Sequence, residues 1–258
     1  MKLIDNTVLI TGGSSGIGFE MAKEFLKRKN KVIITGRNEH KLQQAKELLG
    51  DVVTIQNDVS NPEDVEHLFR QVSSEFPELN ILINNAGVMW TIDLQQHNYN
   101  KTDLTKEFDI NVKGTIWMND TFLPLLKNNA NSAVVTVSSG LAFVPLPIAP
   151  IYSATKAALH SYTLSLREQL RNTDVQVFEL APPATQTGLL DTFKASDMKG
   201  TAIMPVENMV AAFFEGLAKD QHEICPGQAK QLKFMSRFFP NFILKQMSKS
   251  VASMHAEQ

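Results

Sequence analysis

Thr7-Val8-Leu9-Ile10-Thr11-Gly12-Gly13-Ser14-Ser15-Gly16-Ile17-Gly18 is the stretch on which the fold turns. Thr7 to Ile10 is a short apolar run with β-branched members, glycines interrupt it, and from Ile17 the apolar residues recur at helical spacing through Met21, Phe25 and Leu26. The reading is strand, turn, helix. Glycines let such a turn bend tightly and approach a ligand closely, while the helix start offers free N–H groups and a partial positive charge to a pyrophosphate. Gly12, Ser14, Ser15, Gly16, Ile17 and Gly18 are therefore the candidate phosphate contacts. An isolated glycine turn is as well explained by a tight connection; this one heads a strand–helix series, which favours the binding reading.

The series continues outward from that stretch. Val32-Ile33-Ile34 precedes a polar helix over about 38–49, Val52 to Ile55 one over about 62–76, and Ile81-Leu82-Ile83 one over about 104–126. Ala133 to Val137 leads to a helix over about 153–170, Val175 to Leu180 forms a sixth strand, and a seventh lies near His222 to Cys225. Strands that are unbroken apolar runs and alternate with helices are covered on both faces. The fold class is α/β, a Rossmann-type doubly wound parallel sheet of about seven strands with helices on both faces. Residues 1–258 read as a single dinucleotide-binding and catalytic domain with a C-terminal helical extension over about 228–258. Residues 182–204 lose periodicity and read as a long loop with one short helix, and loops of that length tend to be functional.

Composition narrows the function. The chain has 258 residues, 43% hydrophobic and 20% charged, with a formal net charge of −2. That is globular usage, and the net charge supplies no field for nucleic acid or an anionic membrane. The single cysteine, Cys225, precludes an internal disulfide and reads as a small buried apolar residue; the N-terminus shows no secretory leader. No apolar stretch is long enough to span a bilayer. The expectation is a cytoplasmic protein without nucleic-acid partners. His40, His67, His97, His222 and His255 have no ligand spacing, so no metal is expected.

Two further patterns carry chemistry. Thr35-Gly36-Arg37-Asn38 closes the second strand, where an acid would bind a ribose 2′-hydroxyl and an arginine can clamp a 2′-phosphate. Arg37 favours NADP (NADPH) over NAD. Tyr152 and Lys156 stand four apart on one helical face, so the lysine cation can stabilise a phenolate that would otherwise form only near pH ~10. Ser139 ends the fifth strand, and strand C-termini are where doubly wound sheets gather ligands.

Thr-Gly-x-x-x-Gly-x-Gly at 11–18, Asp58-Val59, Asn84-Asn85-Ala86-Gly87, Ser139 and Tyr152-x-x-x-Lys156 occur in the order that marks the short-chain dehydrogenase/reductase family. The chain resembles its shorter single-domain branch over about residues 5–225. Leu141-Ala142-Phe143 and the Pro182-Pro183-Ala184 turn look most like a bacterial subset, the DltE-type oxidoreductases. The resemblance implies that Asp58 and Val59 lie near the adenine, that Asn85, Ala86 and Gly87 line the cofactor, and that Asn111 joins a proton relay. It implies that Ser139 binds the substrate oxygen, Tyr152 is the general acid or base, and Lys156 lowers the tyrosine pKa and binds the nicotinamide ribose. Ser138 is then structural. After the sixth strand the family has Pro-Gly, whereas this chain has Pro182-Pro183, followed by Thr185 and Thr187 as cofactor contacts.

The function so implied is hydride transfer between NADP(H) and a small-molecule alcohol or carbonyl, in a homodimer or homotetramer built on the helices beginning near Leu104 and Ser153. The rival is a redox sensor that binds the dinucleotide without turnover; it would be favoured by loss of the tyrosine or lysine, and both are present. His160 reads as a polar residue at a subunit contact. The Phe- and Met-rich segment from Phe234 to Met247 leaves open a lid, an interface or a helix on a membrane surface, with packing the default.

Overall fold

The computed structural model describes residues 1–96, 99–193, 198 and 201–255, with the side chains of residues 252, 253 and 255 left aside. His97, part of the loop over 184–204 and the last three residues of the extension lie outside the described residues. Seven strands, β1 (Thr7–Thr11), β2 (Lys31–Gly36), β3 (Val53–Gln56), β4 (Ile81–Asn84), β5 (Ala133–Val137), β6 (Gln176–Leu180) and β7 (Glu223–Ile224), pair in the order β3-β2-β1-β4-β5-β6-β7. Every pairing is parallel. The helices are α1 (Gly16–Lys27), α2 (Glu39–Leu49), α3 (Pro62–Glu75), α4 (Lys101–Glu107), α5 (Gly114–Lys127), α6 (Pro150–Gln169), α7 (Val206–Ala218), α8 (Gln228–Phe238), α9 (Pro240–Met247) and α10 (Lys249–His255).

Strand alternation divides the core. Val8 and Ile10 of β1 face one cluster with Met21 and Phe25 of α1 and Phe213 of α7; Leu9 faces another with Leu68 of α3, Phe122 of α5 and Leu166 of α6. Both faces are covered, which is why the strands are apolar throughout. The order reverses between β1 and β4, so their C-terminal ends diverge and leave a crevice, the place where such sheets take ligands.

Two helices depart from the sequence reading. The helix expected over about 104–126 begins at Lys101 and is interrupted by a π-helical turn, Phe108–Lys113, between α4 and α5. The helix expected from Ser153 begins three residues earlier, because Pro150 occupies its first turn, where a missing N–H costs nothing. In the loop after β6, a 3-10 turn (Gly188–Thr192) supplies the short helix, and Thr185 bridges to Met204.

Candidate active site

The glycine loop is shaped by contacts that leave no room for side chains. Gly12 and Gly16 have φ of 65° and 56°, the left-handed region that glycine enters freely. A Cβ on Gly18 would lie 2.5 Å from Asn85 Nδ2 and 2.6 Å from the Gly12 oxygen. Asn85 explains this crowding: its amide donates to the Thr11 and Gly12 carbonyls at 3.0 and 3.1 Å, and its backbone N–H, like that of Ala86, donates to Thr11 Oγ1. The side chain of Asn85 is thus spent on holding the loop. Ser15 caps α1 without a side-chain hydrogen bond, and the first turn has no acid, so the helix start keeps free N–H groups for an anion.

Beside the loop, Arg37, Gln56, Asn57, Asp58, His67 and Leu68 line a cleft. The Asn57 carboxamide is buried there with no protein partner for either of its polar atoms. Arg37 is half-exposed, with Nη1 4.0 Å from Asp58 Oδ2; the other Asp58 oxygen accepts from the Ser60 N–H and hydroxyl. Ser14 Oγ lies 3.4 Å from where a Gly36 Cβ would sit, so Ser14 and the strand end preceding Arg37 share one corner. Free helix-end N–H groups, an unpartnered buried carboxamide and a cationic rim fit a phosphorylated nucleotide.

Deeper in the crevice the four catalytic candidates meet. Asn111, in the π turn and fully buried, accepts from the Val88 N–H at 2.9 Å and donates to the Val88 carbonyl and to Thr155 Oγ1, each at 3.0 Å. Its carboxamide ties the chain leaving β4 to α6, one turn from Tyr152. Lys156 is buried, donates to the Val137 carbonyl at 2.9 Å, and holds its Nζ 5.5 Å from the Tyr152 ring centre. Ser139 Oγ accepts from the Leu141 N–H and acts on the Tyr152 hydroxyl to favour its ionised form.

Burial dominates the electrostatics. It pushes the Tyr152 phenol above its ordinary value, against the effect of Ser139, so the phenol is held protonated. Burial likewise lowers Lys156 to about 8, opposed by the charges of Glu107 and Glu179. Glu107 escaped the sequence reading. It is fully buried one turn before Asn111, Oε1 accepts from the Trp90 N–H at 2.7 Å, Oε2 has no protein partner, and burial raises its pKa to about 7. The only signal for it was its spacing of four from Asn111.

The proline pair after β6 is accommodated. The Pro182 carbonyl accepts from the Gly140 N–H at 2.8 Å, Thr185 Oγ1 donates to the Pro183 carbonyl at 2.9 Å, and Gln186 and Met204 exchange backbone bonds with this segment. Thr187 packs against Gly16, 3.3 Å from where its Cβ would be. Ser138 donates to buried Glu179, whose other oxygen pairs with His160 Nδ1 at 2.8 Å. His160 therefore pairs inward with Glu179, which raises its pKa, while 23% of its side chain stays exposed on α6. Cys225 is half-buried, and burial with Glu223 nearby pushes its thiol up to about 12. Among the described residues no three His, Cys, Asp or Glu side chains cluster as metal ligands, and no helix is long and apolar enough to cross a membrane.

The sequence model of the short chain dehydrogenase family matches residues 6–197. The uncharacterized oxidoreductase DltE of Bacillus subtilis (strain 168) is 40% identical over 250 residues, covering 96% of this chain and 98% of that protein. An uncharacterized oxidoreductase of Staphylococcus aureus (strain N315) is 33% identical over 199 residues, 76% of this chain and 85% of the relative. Among solved structures, a short chain dehydrogenase from Burkholderia cenocepacia J2315 in complex with NADP superposes with a TM-score of 0.82 at 25% identity, over 96% of this chain and 99% of the other. One from Burkholderia phymatum in complex with NAD gives 0.83 at 23% identity, over 95% and 96%, a likeness of fold. With a family match across most of its sheet and a DltE-type relative along nearly its whole length, the chain belongs to the short chain dehydrogenase family of dinucleotide-dependent oxidoreductases.

Proposed function

We propose that the chain transfers a hydride between NADP(H) and a small-molecule alcohol or carbonyl, with Tyr152 as general acid or base. The observation that carries this reading is the convergence of Tyr152, Ser139, Lys156 and Asn111 in one buried corner of the crevice. When bound, the nicotinamide supplies or accepts the hydride. Gly12, Gly16, Ile17 and Gly18 with Ser14 and Ser15 hold the pyrophosphate, Asp58 and Val59 flank the adenine, and Ala86, Gly87, Pro182, Thr185 and Thr187 line the way to the nicotinamide. Ser139 positions the substrate oxygen beside the tyrosine. A phenol held protonated is the form that donates to a carbonyl oxygen as it gains negative charge. Lys156, still largely cationic at neutral pH with a pKa of about 8, stabilises the phenolate left behind.

The choice of NADP rests on Arg37, which follows the strand end that meets Ser14 and, among the described residues, has Asp58 as its ionic neighbour, at 4.0 Å. A solved short chain dehydrogenase in complex with NADP supports it, and one in complex with NAD is the ground for the alternative. Fluorescence titration with NADPH and NADH decides. Arg37→Ala should weaken NADPH by roughly tenfold to a hundredfold, the worth of a charge-assisted phosphate bond, and leave NADH unchanged. Equal affinities, unmoved by the substitution, would remove the clamp. In an aldehyde and ketone panel with NADPH, Tyr152→Phe should cost roughly 10²–10⁴-fold in turnover with NADPH binding intact. Activity that survives would assign the proton elsewhere, and a wild-type protein that binds NADPH but reduces nothing would favour the sensor.

A further inference from the structure

The net charge of the chain conceals a segregation. Residues 228–255 hold Lys230, Lys233, Arg237, Lys245 and Lys249 and no acid, although the whole chain has 25 Lys and Arg against 27 Asp and Glu. The same segment exposes four phenylalanines, Phe234, Phe238, Phe239 and Phe242, each more than half accessible, and Leu244 at 41%. Ala229 and Leu232 face inward, against Gly140, and Lys233 is taken up by an ion pair with Glu223. On α8 the outward side is therefore Phe234 and Phe238, their ring centres 4.7 Å apart and tilted by 39°, with Lys230 and Arg237 flanking them at helical spacing.

We propose that the α8–α9 face docks on an anionic lipid surface. Protruding aromatic rings bordered by cations match the apolar and polar layers of a bilayer interface, with rings at the acyl boundary and lysine and arginine stems reaching the headgroups. Electrostatic attraction to anionic headgroups adds to the apolar burial. A second copy of the chain fits this face poorly, because a two-fold pairing would set its cations against the same cations. A peptide partner needs a concave seat, whereas these rings stand out from the helices. The reaction site lies behind that face: Gly140, next to Ser139, packs on the inner side of α8, and a Cβ there would lie 3.3 Å from Ala229 and 3.2 Å from Leu232. Docking thus brings the α8 side of the crevice to one helix diameter, ~10 Å, from the bilayer, which suits an apolar alcohol or carbonyl that partitions into lipid. That last step rests on the oxidoreductase reading; docking does not.

Co-sedimentation of the full chain with phosphatidylglycerol-containing vesicles, against pure phosphatidylcholine vesicles, tests it. The wild type should pellet with the anionic vesicles at low salt and be released at high salt. Phe238→Ser with Phe242→Ser, and separately Lys230→Glu with Arg237→Glu, should each reduce the bound fraction by on the order of tenfold. Unchanged NADPH titration and thermal melting would show that these surface variants are folded. Failure of the wild type to pellet, or binding that survives both double substitutions, overturns the proposal. So does sedimentation velocity in which the wild type ignores vesicles and the same substitutions convert a larger species to a smaller one, since the face would then be a contact between copies.

Discussion

At Glu107 a carboxyl is buried with one oxygen bonded to the Trp90 N–H and the other unbonded, one turn from Asn111 and within the field of Lys156. The charge of Glu107 also acts on Tyr152 of α6. Burial raises Glu107 to about 7, whereas the unfolded chain ionises it near the ordinary 4.5. Between those two values the native state binds more protons, so this residue makes stability fall as pH rises from about 4.5 through 7, by on the order of 3 kcal/mol. Glu107→Gln keeps an acceptor for Trp90 and cannot ionise. Denaturant melts of both proteins should show the stability difference shifting in favour of glutamine by roughly 2–3 kcal/mol between pH 5 and pH 8. A difference that stays flat with pH would mean that Glu107 is ionised throughout and that Oε2 has found a partner, such as water.

The helix that carries Glu107 and Asn111 is the element least legible in the sequence. Leu104 to Leu126 reads as one helical pattern, and nothing in its periodicity announces the π turn that sets Asn111 against Val88 and Thr155. The strands were legible because burial on both faces forces apolar runs, and the glycine loop because its backbone geometry admits little else. Glu179 was hidden by the same logic: within Val177-Phe178-Glu179-Leu180 it looks like an outward polar residue, yet it is fully buried and paired with Ser138 and His160 from distant segments. Gly114 shows how the elements interlock. A Cβ there would lie 2.8 Å from Val59 Cγ2 and 2.9 Å from the Val59 oxygen, so α5 touches the turn that carries Asp58. Gly114→Ala should destabilise by roughly 1–3 kcal/mol through overpacking, outweighing the ~1 kcal/mol that alanine gains inside a helix. Urea unfolding measures the balance; a more stable variant would show that the Val59 turn yields.

For the molecule as a whole, two of its exposed apolar surfaces differ in kind. The α8–α9 face joins rings to cations of one sign. The outer side of α6 instead runs Ala154, Ala157, Ser161, Leu164 and Ser165, all exposed and uncharged, and beside it α5 exposes Ile116 between Lys113 and Asp120. Small residues at helical spacing allow two helices to approach closely, and opposite charges at the margin can meet across a two-fold axis, where each patch faces its own copy. We propose that α5 and α6 form the subunit contact expected from the sequence. A stable pairing needs roughly 1,200–2,000 Å² of total buried surface, which two long helices from each subunit can supply. Sedimentation velocity should find at least a dimer, and Leu164→Glu with Ile116→Glu should yield a monomer that still binds NADPH, because the crevice at the ends of β1 and β4 lies within one chain. A wild type that sediments as a monomer at all concentrations would remove the contact. A dimer that survives these substitutions and breaks instead with Phe238→Ser and Phe242→Ser would move it to α8–α9 and take the lipid surface with it.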